Sequence, residues 1–257
     1  MECDLRTDEV HVYYCWCERP VVARLRQDYL TLLSPDEHQR YERFYFDKDR
    51  RQFLVARALL RTVLSHYGPI APAAWQFQQV PGGKPVLVPP RGVPPLRFNI
   101  SNTVQLVACA VTIEDEVGVD VEGGDRTINF KIARHCFADS ECSVLDHAPD
   151  DQRKRELFLR YWTLKEAYIK ARGLGLALPL TKFSFSLDAG SHPTISFHEE
   201  LGDDPHQWQF FQRPLGTHHY LAVAVQRRAS PRCRFVVSEW TPLAEPFPPP
   251  FDRAPGH

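Results

Sequence analysis

One order of elements occurs twice in the 257-residue sequence, and this recurrence constrains the fold more than any other feature. Residues 50–66 have the apolar spacing of a helix and stop at Gly68-Pro69, and residues 155–172 form a similar pattern before Gly173-Leu174-Gly175. Apolar strand-like segments follow each helix. Because the two sets lie about 110 residues apart, we predict an α+β fold of two pseudo-symmetric halves. Each half would be a helix packed on a small antiparallel sheet, with an active site in the cleft between the halves.

The strand candidates are rich in β-branched and aromatic residues, and they comprise residues 10–16, 96–100, 105–112, 118–122, 183–187, 208–212 and 220–226. We predict a first half over residues 1–113 and a second half over 114–240. Residues 241–257 contain five prolines between positions 242 and 250, so they can form neither a helix nor a central strand. This Pro-rich tail is either packed on the surface or loose, or it docks to a proline-binding module.

Two local patterns describe the helices of the first half. Ser34, Pro35 and Glu37 predict a helix start, because serine can cap a free amide and Glu37 completes a capping box. In the helix over residues 50–66, Arg50, Arg57 and Arg61 are seven and eleven apart and therefore return to nearly the same angle. That arginine face is either an anion site or a solvated surface.

Charge and hydropathy exclude several functional classes. The 31 Lys and Arg residues nearly cancel the 32 Asp and Glu residues, so there is no chain-wide field for nucleic acid. No apolar run approaches the roughly 20 residues that span a bilayer. The first residues lack the basic and apolar blocks of a secretory signal, so a cytoplasmic location is expected. Seven cysteines without a Cys-x-x-Cys pair then predict buried free thiols.

The segment Gly118-Val119-Asp120-Val121-Glu122 is the first candidate for chemistry. Alternation along a strand sends both valines to one face and both carboxylates to the other. Two carboxylates on one face suit Mg²⁺, which takes one or two of them and completes its shell with water and phosphate oxygens. Taken by itself, however, an acidic strand face is equally compatible with a solvated surface.

The second candidate is Trp162-Thr163-Leu164-Lys165-Glu166-Ala167-Tyr168-Ile169-Lys170 on the second long helix. Glu166 falls opposite the apolar stripe, and Trp162 and Lys170 flank it at a spacing of four residues. The stripe consists of Leu157, Tyr161, Leu164 and Tyr168. An exposed Glu-Lys pair would explain the same pattern, but a neighbouring tryptophan indicates a covered surface.

Taken together, these two motifs resemble the signature of 4′-phosphopantetheinyl transferases of the Sfp type. Further matches are Gly83-Lys84-Pro85, Phe98-Asn99-Ile100-Ser101, and Ser34-Pro35 through Arg43-Phe44-Tyr45, so the resemblance extends over most of residues 34–226. It implies two pseudo-symmetric α+β halves with coenzyme A held between them. The implied reaction transfers the 4′-phosphopantetheine group of coenzyme A to a serine of an apo acyl or peptidyl carrier protein and releases 3′,5′-ADP.

The resemblance also implies roles for individual residues. Asp120, Glu122 and Glu166 would bind Mg²⁺, which bridges the pyrophosphate of coenzyme A, and Glu166 would take the serine proton directly or through a metal-bound water. Lys170 would contact the phosphates with support from Lys165. The remaining coenzyme A contacts would be Arg40 and either Arg51 or Arg57 at the 3′-phosphate, Lys84 and Pro85 at the adenine, and Ser101 and Asn102 at the pyrophosphate. Asn102 replaces the histidine usual in the family, so we expect a pH profile without a histidine limb.

Carrier recognition is implied for residues 123–151 and their surroundings. Acidic carriers would be steered by Lys131, Arg134, Arg153 and Lys154, although a solvated surface explains these charges equally well. The internal duplication suggests a monomer. Two other functions remain open at this point: a coenzyme A or nucleotide-binding module without catalysis, and a magnesium-dependent phosphodiester hydrolase.

Overall fold

The computed structural model describes residues 5–80, 83–88, 92–123, 128–175, 178–187, 192–228 and 232–248. Its helices are α1 (Pro20–Arg24), α2 (Arg26–Leu30), α3 (Pro35–Arg43), α4 (Asp47–Tyr67), α5 (Ala133–Cys136), α6 (Asp139–Asp146) and α7 (Asp151–Arg172). Its strands are β1 (Glu9–Trp16), β2 (Phe77–Gln79), β3 (Pro85–Leu87), β4 (Leu96–Asn102), β5 (Leu106–Ile113), β6 (Glu116–Gly123), β7 (Phe183–Ser186), β8 (Thr194–Phe197), β9 (Trp208–Leu215), β10 (His219–Gln226) and β11 (Arg234–Glu239).

These strands form two main sheets and two hairpins. The first sheet has the order β11-β1-β5-β4 and the second sheet the order β6-β10-β9, while β2-β3 and β7-β8 are separate two-stranded pairs. All neighbours are antiparallel except β1 and β11, which are parallel. The fold is therefore α+β, as the sequence predicts.

Each main sheet carries one long helix on its outer face. Helix α4 buries Leu59, Leu60 and Val63 against residues of β1 and β5 such as Cys15 and Val107. On the second sheet, α7 buries the predicted stripe of Leu157, Tyr161, Leu164 and Tyr168. The predicted capping box at the start of α3 is also present, with Ser34 and Glu37 bonded reciprocally.

The inner faces of the two sheets pack against each other through aliphatic side chains. Val10 and Val12 of β1 meet Val119 and Val121 of β6 in one continuous apolar cluster. Because side chains alternate along a strand, the even-numbered residues of β6 point the other way, toward α7. This alternation directs Asp120 and Glu122 toward the helix that carries Glu166.

Gly118 allows α7 to lie directly on β6. A Cβ atom at this position would be 2.0 Å from the carbonyl oxygen of Ala167 and 2.4 Å from the amide nitrogen of Ala171. Both atoms belong to helix backbone, which cannot rotate away. We therefore expect Gly118→Ala to lower the free energy of unfolding by about 3 kcal/mol, at the upper end of overpacking effects. Urea denaturation measures this loss, and an unchanged midpoint would contradict the close packing.

The structure places residues 234–239 and part of the Pro-rich tail on the first half of the protein. Residues 234–239 fall inside the predicted second half, yet as β11 they pair with β1 in the first sheet. The following residues pack on the first half too: the hydroxyl of Tyr29 donates to the carbonyl of Pro242, and Phe247 stacks on His66 at 3.6 Å. Over residues 241–248 the tail is thus packed, while 249–257 lie outside the described residues.

Two further expectations concern the thiols and the membrane. The cysteines within the described ranges are free, and all except the half-buried Cys136 are buried. Burial raises the pKa of Cys15 and Cys17 to about 12, so these thiols are protonated and unreactive at neutral pH. Among the helices of the described ranges, none has the length and apolar character needed to cross a membrane.

Candidate active site

A charged cluster forms where β4, β6 and α7 meet. The Lys170 ammonium donates to Asp120 Oδ1 at 2.6 Å and to Ser101 Oγ at 2.8 Å. The Ser101 hydroxyl donates in turn to Asp120 Oδ1 at 2.9 Å. Asp120 is almost fully buried, with 4% of its surface exposed, whereas Lys170 retains partial exposure. The cluster thus joins a strand of each sheet to the helix that carries the second motif.

Polar side chains of β4 connect the cluster to the backbone of β6. Asn99 Oδ1 accepts from the amide of Val119 at 2.9 Å, and Ser101 Oγ accepts from the amide of Val121 at 3.3 Å. These contacts supply hydrogen-bond acceptors to two backbone amides of β6, which is an edge strand of the second sheet. The sequence analysis did not identify Asn99 as a site residue. Its position two residues before Ser101 places it on the same face of the strand, which is a pattern that could have identified it.

The second carboxylate oxygen of Asp120 has no hydrogen-bond partner although it is buried. A buried acceptor without a donor is costly, and it indicates a ligand that the protein alone does not supply. Oxygen donors of this kind are what Mg²⁺ prefers. The cluster therefore fits a hard divalent cation on the Oδ2 side of Asp120.

The other two acidic residues lie at the interface of β6 and α7, with Glu122 on the strand and Glu166 on the helix. The Trp162 indole donates to Glu122 Oε1 at 2.9 Å, and Glu166 lies on the helix between Trp162 and Lys170, lining a cavity with Lys170. Across the described ranges no three His, Cys, Asp or Glu side chains are grouped closely enough to hold a metal. In these ranges the three carboxylates expected to meet are therefore not grouped as a metal site, and Lys170 and Trp162 each contact one oxygen, of Asp120 and of Glu122.

Two adjoining cavities extend from this cluster. One, here called the helix cavity, has a volume of about 260 Å³ and is lined by Glu166 and Lys170 together with Lys84 and Asn99. The other, here called the arginine cavity, has a volume of about 780 Å³. Both are lined by Gly83, Pro85 and Ile100, so the two cavities form one continuous groove.

Arg40, Arg57 and Arg61 line the arginine cavity together with two acidic residues, which leaves one net positive charge. Arg40 and Arg57 both lie over the ring of Phe53, at 5.3 and 5.4 Å from its centre. Arg61 is buried and bonded to Glu37, whereas Arg57 is 3.6 Å from Glu37 and its buried Nε has no hydrogen-bond partner. Burial also lowers the pKa of Arg57. An anion entering this cavity would meet the guanidinium groups of Arg40 and Arg57.

Comparison with known proteins finds family matches of one kind over both halves of the chain. The family described as the 4′-phosphopantetheinyl transferase superfamily matches residues 116–224, and its N-terminal counterpart matches residues 19–114. The 4′-phosphopantetheinyl transferase HetI of Nostoc sp. strain PCC 7120 is 37% identical over 67% of this chain and 72% of its own length. The chain belongs to the 4′-phosphopantetheinyl transferase superfamily.

Two other members of the superfamily show the breadth of the similarity. The 4′-phosphopantetheinyl transferase Sfp of Bacillus subtilis strain 168 is 30% identical over 72% of this chain and 80% of its own length. The L-aminoadipate-semialdehyde dehydrogenase-phosphopantetheinyl transferase of Homo sapiens is 26% identical over 80% of this chain and 71% of its own length. The resemblance read from the sequence motifs is therefore confirmed.

In this phosphopantetheinyl transferase, Lys165 does not lie in the groove. Its side chain is fully buried, and its ammonium pairs with Glu141 Oε2 at 2.8 Å and donates to the carbonyls of Leu180 and Phe183. Burial lowers the pKa of Lys165 and raises that of Glu141. The prediction that Lys165 supports the phosphates is wrong, because its position one residue before Glu166 turns it by about 100° around the helix, to the interior side.

Arg51 also differs from its expected placement. It pairs with Glu18 at 3.6 Å and lines a separate cavity with Arg26 and Arg50. Arg50 shares the helix face of Arg57, but seven residues of helix separate them by about 10 Å, so the two reach different cavities. Of the two arginines considered for the 3′-phosphate, only Arg57 therefore lines the groove.

Ser101, Asn102 and Pro85 differ in what they offer a ligand. The single proton of the Ser101 hydroxyl is already donated to Asp120, so this residue supports the cluster from inside. Asn102 is exposed at the end of β4. Pro85 lines both cavities. Lys84 lines the helix cavity, but its ammonium is directed away into the second half of the protein.

Proposed function

We propose that this chain transfers the 4′-phosphopantetheine group of coenzyme A to a serine of an apo acyl or peptidyl carrier protein, releasing 3′,5′-ADP. Membership of the superfamily supports the reaction class. The observation that carries the proposal is the buried, unpartnered Asp120 Oδ2 beside Lys170, next to the cavity that Lys170 and Glu166 line. A cation-dependent phosphoryl site needs this combination of hard oxygen donor and ammonium.

Different parts of the groove would bind the adenosine 3′-phosphate end and the pyrophosphate of coenzyme A. Arg40 and Arg57 would receive the 3′-phosphate, since both line the arginine cavity and a guanidinium suits bidentate contact with phosphate. Pro85 and the neighbouring hairpin β2-β3 would line the adenine. The pyrophosphate would then lie near Lys170, at the end of the groove occupied by the charged cluster. Asn102 would offer a neutral amide donor where related enzymes have a histidine.

Asp120 and Glu122, with Glu166, would hold Mg²⁺. The bound ion would supply countercharge to the pyrophosphate oxygens. Lys170 would add a second positive charge, exchanging its contact with Asp120 Oδ1 for a phosphate oxygen. Glu166 would accept the proton of the carrier serine as that oxygen bonds to the β-phosphorus. The bond from that phosphorus to the bridging oxygen then breaks, and 3′,5′-ADP leaves.

The carrier would approach from the side of α5 and α6. Arg134 and Lys154 both contact Asp146, and Arg153 contacts Glu156, so their charges are partly compensated at the surface. Lys131 lies nearby on the turn before α5. These four cations would steer an acidic carrier. A monomeric state and a cytoplasmic location are further expectations from the sequence.

Mass spectrometry of an apo carrier protein incubated with the chain, coenzyme A and Mg²⁺ tests the proposal. We expect the carrier mass to increase by one phosphopantetheine group, with release of 3′,5′-ADP. Release of 3′,5′-ADP without modification of any carrier tried would instead indicate a phosphodiester hydrolase. Coenzyme A binding with neither product would indicate a binding module. Either result would overturn the proposal.

A further inference from the structure

Lys84 joins the two halves of the protein beside the groove. Its ammonium is 2.8 Å from Glu116 Oε2 and donates to the carbonyl oxygens of Ala171 at 3.0 Å and Val117 at 3.3 Å. Glu116 and Val117 belong to β6, and Ala171 is in the last turn of α7. One side chain from the first half thus holds a strand and a helix end of the second half.

The segment that Lys84 anchors is held to the first half by side-chain packing, with the ring of Phe77 5.5 Å from that of Phe98. Residues 77–79 and 85–87 form the hairpin β2-β3, which is hydrogen-bonded only as a two-stranded pair and is not part of either main sheet. Such a hairpin has little stability of its own. Yet Gly83 and Pro85 of this segment line both cavities of the groove. The position of this wall therefore depends on its contacts with the rest of the protein.

The C-terminus of α7 leaves room for the lysine. Gly173 ends the helix with a left-handed φ of 66°, and a Cβ atom there would lie 3.3 Å from Cδ of Lys84. The carbonyl oxygen of Ala171 is one of the last in the helix, where the partial negative charge of the dipole favours a cation. The helix end thus provides both the space and the charge for the Lys84 side chain, which is 9% exposed.

We propose that Lys84 is a positioning residue that latches the β2-β3 hairpin onto the second half and thereby sets the adenosine end of the coenzyme A groove. The inference rests on the proposed function, since it assigns that end of the groove to coenzyme A. Lys84 acts through the hairpin and not by touching the reacting phosphate. Its loss therefore weakens binding of the adenosine part more than it slows the chemical step.

Lys84→Met tests the latch, because methionine keeps much of the aliphatic stem and removes the ammonium. We expect the KM for coenzyme A and the Kd for 3′,5′-ADP to rise together by about tenfold, equivalent to about 1.4 kcal/mol, with kcat within about twofold. Calorimetry with 3′,5′-ADP measures the second quantity without any carrier protein. Glu116→Gln should shift both in the same direction, and the double variant should show less than the sum of the two effects.

Lys182→Met is the matched control, since Lys182 forms a 2.9 Å pair with Glu200 and lines neither cavity of the groove. It should leave both constants unchanged. An unchanged Kd for 3′,5′-ADP in Lys84→Met and Glu116→Gln, with wild-type binding intact, would overturn the latch. A wild-type chain that neither binds 3′,5′-ADP nor modifies a carrier would instead overturn the proposed function.

Discussion

Replacing Asp120 with asparagine is expected to lower kcat/KM for carrier modification by at least about 100-fold, the scale found when a preorganised electrostatic group is removed from a phosphoryl or acyl transfer site. Asparagine keeps the shape of the side chain and an oxygen for Lys170 and Ser101. It loses the negative charge, and its amide group replaces the unpartnered Oδ2 that we assign to the cation. Initial rates of carrier modification measure the effect.

A second measurement on the same variant separates a metal role from a structural one. Mg²⁺ should tighten coenzyme A binding to the wild-type chain and have little effect on Asp120→Asn. The control is Glu200→Gln, which removes an exposed carboxylate paired with Lys182 outside the groove. It should leave the rate unchanged. A variant at Asp120 that keeps magnesium-dependent binding and near wild-type rates would refute the assignment of the cation to this oxygen.

Replacing Lys165 with methionine is expected to lower the free energy of unfolding by about 3–5 kcal/mol, because breaking a buried ion pair leaves an uncompensated charge. Glu141 and Lys165 have no solvent exposure. The lysine also satisfies two carbonyl oxygens, while Glu141 accepts from the backbone amides of Ala138 and Phe185. The pair therefore ties α6 and β7 to α7. Chemical denaturation measures the loss.

The double variant Glu141→Gln/Lys165→Met should be more stable than Lys165→Met alone, since a neutral amide no longer needs a counterion. Lys182→Met breaks an exposed pair and should cost no more than about 1 kcal/mol. A Lys165→Met chain with wild-type stability but a large rise in the KM for coenzyme A would instead restore this lysine to the substrate site.

Patterns in the sequence were sufficient for several features, each of which depends on local periodicity. The helix spacing of Leu157 to Tyr168 identified the buried face of α7, and the Ser34 capping box identified the start of α3. Strand alternation correctly sent Asp120 and Glu122 away from Val119 and Val121. The motif around Glu166, taken with that strand, was specific enough to identify the superfamily.

Other features depend on contacts between distant segments. Lys165 and Lys170 lie on one helix, and both read as phosphate ligands, but only packing against Glu141 shows that the first is interior. Likewise, Arg50 and Arg57 share a helix face, and their different surroundings assign them to different cavities. No pattern within residues 234–239 indicates that they pair with β1 across more than two hundred intervening residues.

The sequence by itself determined the two long helices, the buried face of α7, most strands of the two main sheets and the superfamily, because these follow from periodicities and motifs within one stretch of chain. Only the tertiary structure decided where the charges lie: Lys170 lines the groove and pairs with the buried Asp120, Lys165 is interior, and Lys84 spans the two halves beside the groove. The physical reason is that the surroundings of a charged side chain depend on partners from other elements. Those partners are brought together only when the sheets and helices pack.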